Sequence, residues 1–225
     1  MMRAFENRPD TVVVDEPLYA AYLARTGIDH PARDEVIASQ PTDLEAAVAE
    51  LSAPLPPGHR VHYAKHMAHH VSRDMDLGWT VGFRNVLLIR DPVEVVASYV
   101  RARESCEPDD IGLPQQGWLL ELWDERGLEV PILDAGEFLR APEQHLRWLC
   151  DWLEIPFTAR MLSWPAGPRE SDGVWAPHWY AAVWASTCFE PPRSRDTTLS
   201  EHDAAVAEAC RPGYAALHAR RVVAA

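Results

Sequence analysis

The chain has 225 residues, 47% of them hydrophobic and 24% charged, a composition that excludes a disordered or fibrous protein and suits one globular domain spanning residues 1–225. Its 34 Asp and Glu against 21 Lys and Arg give a net charge of −13, and so acidic a surface repels nucleic acid and anionic lipid. Lys65 is the single lysine and every other basic residue is arginine, so a chain that otherwise uses planar, fork-shaped cations places one compact point charge at one position.

The opening stretch MMRAFENRPD mixes charged and apolar residues and has no signal-peptide core, and no later run approaches a membrane-spanning length. A cytoplasmic protein is expected. Cys106, Cys150, Cys188 and Cys210 are far apart and form neither a CxxC pair nor a zinc spacing, so reduced thiols are expected.

Read in chain order, TVVVD at 11–15 is a β-branched run closed by Glu16-Pro17 and predicts a strand. Thr42 and Glu45 form a capping box ahead of Leu44, Ala47, Val48 and Leu51 at helical spacing. HRVHYAK at 59–65 and RNVLLIR at 84–90 predict two more strands. Asp91 and Pro92 read as the cap and first residue of a helix that turns Val95, Val96 and Tyr99 inward. VPILD at 130–134 predicts a fourth strand, Pro142 opens a helix through Leu146, Leu149, Trp152 and Leu153, and residues 199–222 predict a closing helix. Residues 164–193 carry Trp164, Trp175, Trp179 and Trp184 among prolines, a segment suited to a lid, a pocket wall or a covering layer. Strands alternating with helices predict an α/β fold with a mostly parallel sheet covered on both faces.

Open sheets of this class bind ligands at the carboxyl ends of their strands, which selects Asp15-Glu16-Pro17, Lys65-His66 and Arg90-Asp91-Pro92. At the third place, Arg90 ends a strand and Ser98 lies two turns into the next helix. Guanidinium and hydroxyl can hold a phosphate between them; the alternative is an Arg paired with a nearby carboxylate and an incidental Ser.

LLIRDPVEVVASYVR resembles the 3′-phosphate-binding segment of the sulfotransferases that use 3′-phosphoadenylyl sulfate (PAPS). VVVDEPLYAAYL is similar to a strand and helix that line the acceptor pocket in bacterial sulfotransferase-like proteins, and YAKHMAHH to the strand that supplies active-site groups. GPRESDGVWAPHWY is similar, more loosely, to the late segment that folds over the nucleotide. Four segments in family order, from residue 1 to about 190, are far more specific than any one. The resemblance implies a P-loop NTPase-like, three-layer α/β/α fold, PAPS as donor, 3′,5′-ADP as product and a small-molecule acceptor with a hydroxyl or amine.

It also implies roles. Arg90 and Ser98 match the two 3′-phosphate ligands. Glu16 is a candidate base, or a solvated turn carboxylate; Lys65 a candidate donor to sulfonate or leaving-group oxygens, or a surface lysine; His66 a second candidate base. Arg169 suits a phosphate fork, Gly173 a close backbone approach and Trp175 adenine stacking, or all three belong to a loop packed by its tryptophans. The histidines at 59, 62, 66, 69 and 70 lack a completing Cys or carboxylate pair, so no metal is expected and they read as pocket wall or core. The family's first strand and its 5′-phosphosulfate loop have no counterpart in this sequence, and MMRAFENRPD resembles the remainder of the helix after that loop. The expectation is a chain shortened at its N-terminus, whose form as written is inactive or differently stabilised. The rival class is a non-catalytic nucleotide-binding or interaction protein on the same scaffold. A P-loop kinase fits less well, since neither a Walker lysine loop nor a Mg²⁺-holding carboxylate arrangement is visible. The acceptor's identity and a homo-oligomeric state stay open.

Overall fold

A computed structural model of the chain describes residues 1–101, 106–192 and 197–224. Position 193, the end of the tryptophan- and proline-rich segment, falls outside the described residues. In chain order the elements are α1 (Met2–Glu6), β1 (Thr11–Asp15), α2 (Tyr19–Thr26), α3 (Arg33–Ser39), α4 (Leu44–Leu51), β2 (Val61–Lys65), β3 (Leu87–Ile89), α5 (Pro92–Tyr99), α6 (Leu113–Glu125), β4 (Ile132–Asp134), α7 (Ala135–Arg140), α8 (Pro142–Trp152), α9 (Ala176–Trp179), α10 (Ala181–Ala185) and α11 (Glu201–Ala219). The class is α/β. Residues 1–75 with 154–189 form one unit, and residues 76–153 with 190–225 form a second.

In the first unit β1 and β2 pair in parallel, with Thr11 opposite Val61 and Asp15 opposite Lys65. The predicted strand at 59–65 begins only at Val61 because His59 closes a turn onto the Pro56 carbonyl and the Asp10 carbonyl receives both Arg60 and Val61 N–H groups. On one sheet face Val13 and Tyr63 pack against Met2, Ala176 and Tyr180, and Phe5 stacks on Tyr63 with ring centroids 4.5 Å apart. On the other, Val12, Val14 and His62 line a cavity with Leu51 and Leu55. Helix α4 starts as expected but with a different cap. Asp43, not Thr42, accepts the Ala46 N–H at 3.0 Å, and Asp43 has the extended backbone an N-cap requires. Its inner face buries Ala47 and Leu51.

In the second unit β3 and β4 pair in parallel, Leu87 opposite Ile132 and Ile89 opposite Asp134. Both are shorter than predicted: the Asn85 side chain turns back onto the Thr80 and Phe83 carbonyls, so β3 starts at Leu87. Where one mostly parallel sheet was expected, the hydrogen-bonded ladders among the described residues are two separate pairs. Helix α5 forms with Pro92 in its first turn and the Asp91 carboxylate accepting the Val93 N–H at 2.8 Å; Val96 and Ala97 are buried. Helix α8 buries Leu146, Leu149 and Cys150. The closing helix α11, capped by Ser200, buries Val206 and Cys210 and packs on α5 and α6. The four cysteines are free thiols.

The α4 cap supplies a stability test. Asp43→Ala should cost about 1 kcal/mol in chemical denaturation, while Thr42→Ala should change stability by less than about half of that; equal effects would return the cap to Thr42.

Candidate active site

Two parallel strands in register bring their last residues side by side. Asp15 and Lys65 are direct neighbours, and Glu16 follows with φ at +45°. That left-handed backbone is unfavourable for a glutamate, the more so before a proline. It is held by the Glu16 N–H donating to the Lys65 carbonyl at 2.8 Å, the Tyr19 N–H donating to the Glu16 carbonyl at 3.0 Å and the Gln40 amide donating to the same oxygen at 3.2 Å. Strain of this kind concentrates at functional sites.

The result is a compact ion cluster. The Lys65 ammonium lies 2.5 Å from Glu16 Oε1 and 3.2 Å from Asp15 Oδ1, and donates to the Tyr180 hydroxyl at 2.8 Å. That hydroxyl donates to Asp15 Oδ2 at 2.5 Å. Asp15 and Glu16 are buried and the Lys65 side chain is 29% exposed, so Lys65 is the face of the cluster that solvent reaches. Burial pushes the Glu16 carboxyl up, and Lys65 pulls it back only in part, leaving it above the ordinary glutamate value. Burial alone would lower Lys65, but Glu16 and Asp15 outweigh it and its pKa is raised. The lysine therefore stays charged, beside a carboxylate biased toward taking a proton. Glu16 and Lys65, expected separately, are in contact.

Behind Glu16 is an aromatic layer. His70, 2% exposed, stacks on Tyr19 at 4.6 Å and on Tyr22 at 4.7 Å between centroids, with Nε2 4.0 Å from Glu16 Oε2. Burial lowers His66 and His69 to about 4, Lys65 adding to the effect on His66 and His30 to that on His69; His70 is lowered well below the usual histidine value for the same first reason, with His69 next. All three are neutral at neutral pH. Three or more metal-ligating side chains do not converge anywhere among the described residues.

The late segment of the first unit is stitched to α1 by Asp172. It pairs with the buried Arg3 at 2.7 Å and accepts the Trp184 indole N–H at 2.9 Å and the Arg169 backbone N–H at 2.9 Å. Burial works against its charge, and Arg3 and Trp184 overcome this, holding the carboxyl below its usual range. Ser171 donates to Glu6. Of the expected nucleotide contacts here, the Arg169 side chain donates to the Pro165 carbonyl at 3.1 Å. Trp175 is 1% exposed and sits in a core with Tyr19, Tyr22, Leu23 and Val36. Its ring is covered by protein, so core packing replaces the expected open stacking face. Gly173 does permit a close approach, to that ring: a Cβ there would lie 2.1 Å from it.

Arg90 and Ser98 lie in the second unit. Arg90 Nε donates to Glu94 at 2.8 Å, both side chains being exposed in part. Glu94 and Ser98 are one helical turn apart on α5, both exposed and on one helix face, while Arg90 precedes the Asp91 cap and meets that face through its bond to Glu94. The carboxylate pairing weighed for Arg90 is present, through Nε alone.

The sequence as a whole matches the sulfotransferase domain family. The model of that family matches residues 1–221, and the chain belongs to it. It is 36% identical over 221 residues to branched-chain-amino-acid aminotransferase-like protein 2 of Arabidopsis thaliana, covering 95% of this chain and 38% of that protein. The like-named protein 1 is 37% identical over 211 residues, 90% of this chain and 37% of the relative. The chain thus spans less than two fifths of the length of these relatives. Among solved structures, the sulfotransferase domain from the curacin biosynthetic pathway aligns over 86% of this chain and 78% of its own, at 17% identity and a TM-score of 0.45. No helix among the described residues is long and apolar enough to cross a membrane.

Sequence reading missed Tyr180, which ends the quoted segment GPRESDGVWAPHWY but is separated from Lys65 by 115 positions. Asp172 and His70 were likewise passed over, although Asp172 stands inside the quoted late segment and His70 at the end of YAKHMAHH.

The neutral histidines make the fold acid-sensitive. In the unfolded chain they protonate near 6.5, and in the folded one His66 and His69 only near 4. The unfolded state therefore binds more protons between those values, and stability is lost as pH falls from about 6.5 to about 4. Melting temperatures across this window should fall steeply for the native chain and less for His69→Phe; parallel curves would contradict the assignment.

Proposed function

We propose that the chain transfers a sulfuryl group from PAPS to the hydroxyl or amine of a small-molecule acceptor. The observation that carries this reading is the contact between a buried, proton-seeking Glu16 and a charged, half-exposed Lys65 at the carboxyl ends of β1 and β2, in a chain of the sulfotransferase domain family. In such a step the acceptor oxygen or nitrogen forms a bond to sulfur as the bond from sulfur to the bridging phosphate oxygen breaks. The acceptor's proton passes to Glu16, and 3′,5′-ADP departs as the anion. Lys65 offsets the charge on the sulfonate and bridging oxygens, where preorganised positive charge is most effective. His66, neutral at working pH, is the second candidate for the base.

Arg90 and Ser98 would hold the donor's 3′-phosphate. Ser98 shares a face of α5 with Glu94, which Arg90 meets through Nε, and this proximity supports the reading; the remaining guanidinium N–H groups suit a phosphate fork. Arg169 could add a further fork to the nucleotide through guanidinium hydrogens not directed at Pro165. The P-loop NTPase-like character of the scaffold is part of the same proposal.

A second reading, a non-catalytic nucleotide-binding or interaction protein, is favoured by one observation: both key cations already have internal anionic partners, Lys65 with Asp15 and Glu16 and Arg90 with Glu94. Conversion of PAPS to 3′,5′-ADP by the full chain excludes it.

Two measurements follow. Calorimetric titration with 3′,5′-ADP should show more than tenfold weaker binding for Arg90→Ala; unchanged affinity removes Arg90 from the site. The rate of transfer should rise with pH through an apparent pKa above 4.5, as a base must be deprotonated to act and burial raises Glu16 above that value. Glu16→Gln should abolish this limb with a rate loss of at least about 100-fold, whereas loss of the limb in His66→Gln alone would move the base to His66.

A further inference from the structure

The Lys65 ammonium has three N–H donors; two are hydrogen-bonded, to Glu16 Oε1 at 2.5 Å and to the Tyr180 hydroxyl at 2.8 Å, while Asp15 Oδ1 is held as an ion pair at 3.2 Å without a hydrogen bond. As arranged, the Asp15 carboxylate competes by charge with an incoming oxyanion for the ammonium. Yet Lys65, with 29% of its side chain exposed against 1% for Asp15 and 9% for Glu16, is the member of the cluster that an incoming group meets. The contact to Asp15 is the longest of the three and is not a hydrogen bond, so it is the one that opens most readily. Opening it alone would strand a buried carboxylate, which folded proteins avoid. The arrangement already contains the remedy: the Tyr180 hydroxyl donates its own proton to the other Asp15 oxygen, Oδ2, at 2.5 Å. The same hydroxyl accepts from Lys65, so it stays bonded to both partners if the Lys65–Asp15 contact opens.

We propose that Tyr180 is a positioning residue that keeps the Asp15 carboxylate hydrogen-bonded while the Lys65 ammonium turns from its ion pair with Asp15 to an incoming oxyanion. No bond is made or broken at Tyr180 itself. Identifying that oxyanion as a donor's sulfonate rests on the function proposed above, whereas the handover at Lys65 does not. Tyr180 also explains how the distant segment at 164–189 bears on the strand ends: its helices α9 and α10 meet at Tyr180, which is 8% exposed and packed among Met2, Val13 and Trp184.

The single lysine makes the test direct. The full chain labelled with ¹⁵N- and ¹³C-lysine gives one lysine side-chain signal, and inorganic sulfate serves as the oxyanion, with sodium chloride at matched ionic strength as control. In the native chain sulfate should shift the Lys65 signal saturably. In Tyr180→Phe the shift should be at least fivefold smaller, because Asp15 then holds Lys65. Adding Asp15→Asn to Tyr180→Phe should restore it, since an uncharged side chain releases the ammonium; a residue that only packed would show no such rescue. No saturable shift in the native chain, or an equal shift in Tyr180→Phe, overturns the proposal. If Tyr180→Phe does not fold by circular dichroism, Asp15→Asn alone decides: sulfate should bind at Lys65 at least threefold more tightly, and unchanged or weaker binding overturns it. PAPS conversion measured on the native sample separates the two ideas, because a normal sulfate response without conversion defeats the proposed reaction and leaves the role of Tyr180 standing.

Discussion

A buried carboxylate pair that shares one ammonium is the constraint around which the first unit is arranged. Breaking such a group by removing one partner typically costs about 3–5 kcal/mol, because the charge left behind is uncompensated. Asp15 and Glu16 are adjacent in sequence, so the chain must part their side chains to bring both to Lys65. The left-handed backbone at Glu16 does this, and a strain of roughly 1–3 kcal/mol is the usual cost of that geometry. The parallel register of β1 and β2 then sets Lys65 opposite Asp15, and the 164–189 segment closes over the group through Tyr180. Strand ends, turn strain and late segment are thus three consequences of one electrostatic requirement.

The same constraint shapes the chemistry. A lysine kept charged and a glutamate whose proton affinity is raised are the two complementary demands of sulfuryl transfer, positive charge on oxygens that gain electrons and a base for the acceptor. His70, stacked on Tyr19 and Tyr22, lies beside the Glu16 carboxylate, whose burial raises it. The buried Arg3–Asp172 pair has a quieter part. It fixes α1 to the late segment, which in turn fixes Tyr180, and it shows how this chain uses arginine for scaffolding while its one lysine stands at the site.

Much of this could be read from sequence where local chemistry decides. The β-branched run at 11–15, Asp91-Pro92 and the periodic leucines of α8 formed where expected, because capping and hydrophobic spacing act over a few residues. Strand lengths were overestimated where side chains compete for backbone groups, as Asn85 does ahead of β3. The helix at 44–51 was anticipated but its cap misplaced by one residue, since Thr42 and Asp43 are both good caps and only the backbone conformation chooses. Glu16 and Lys65 were legible because each ends a strand. Tyr180 was not, as contacts across 115 positions leave no periodic trace, and Trp175 could be read two ways because the residue type that stacks well on a nucleotide also packs well in a core.

The central claim, that Lys65 and its carboxylates form a reactive centre and not only a structural ion cluster, is tested most directly by exchanging lysine for arginine. Lys65→Arg keeps the positive charge demanded by Asp15 and Glu16 but replaces a compact ammonium with a planar fork. Conversion of ³⁵S-labelled PAPS to 3′,5′-ADP, measured with a panel of small alcohols, phenols and amines as acceptors, should proceed with the native chain and fall at least 100-fold in Lys65→Arg, with both proteins equally folded. Equal conversion by the two, or none by the native chain, would contradict the account.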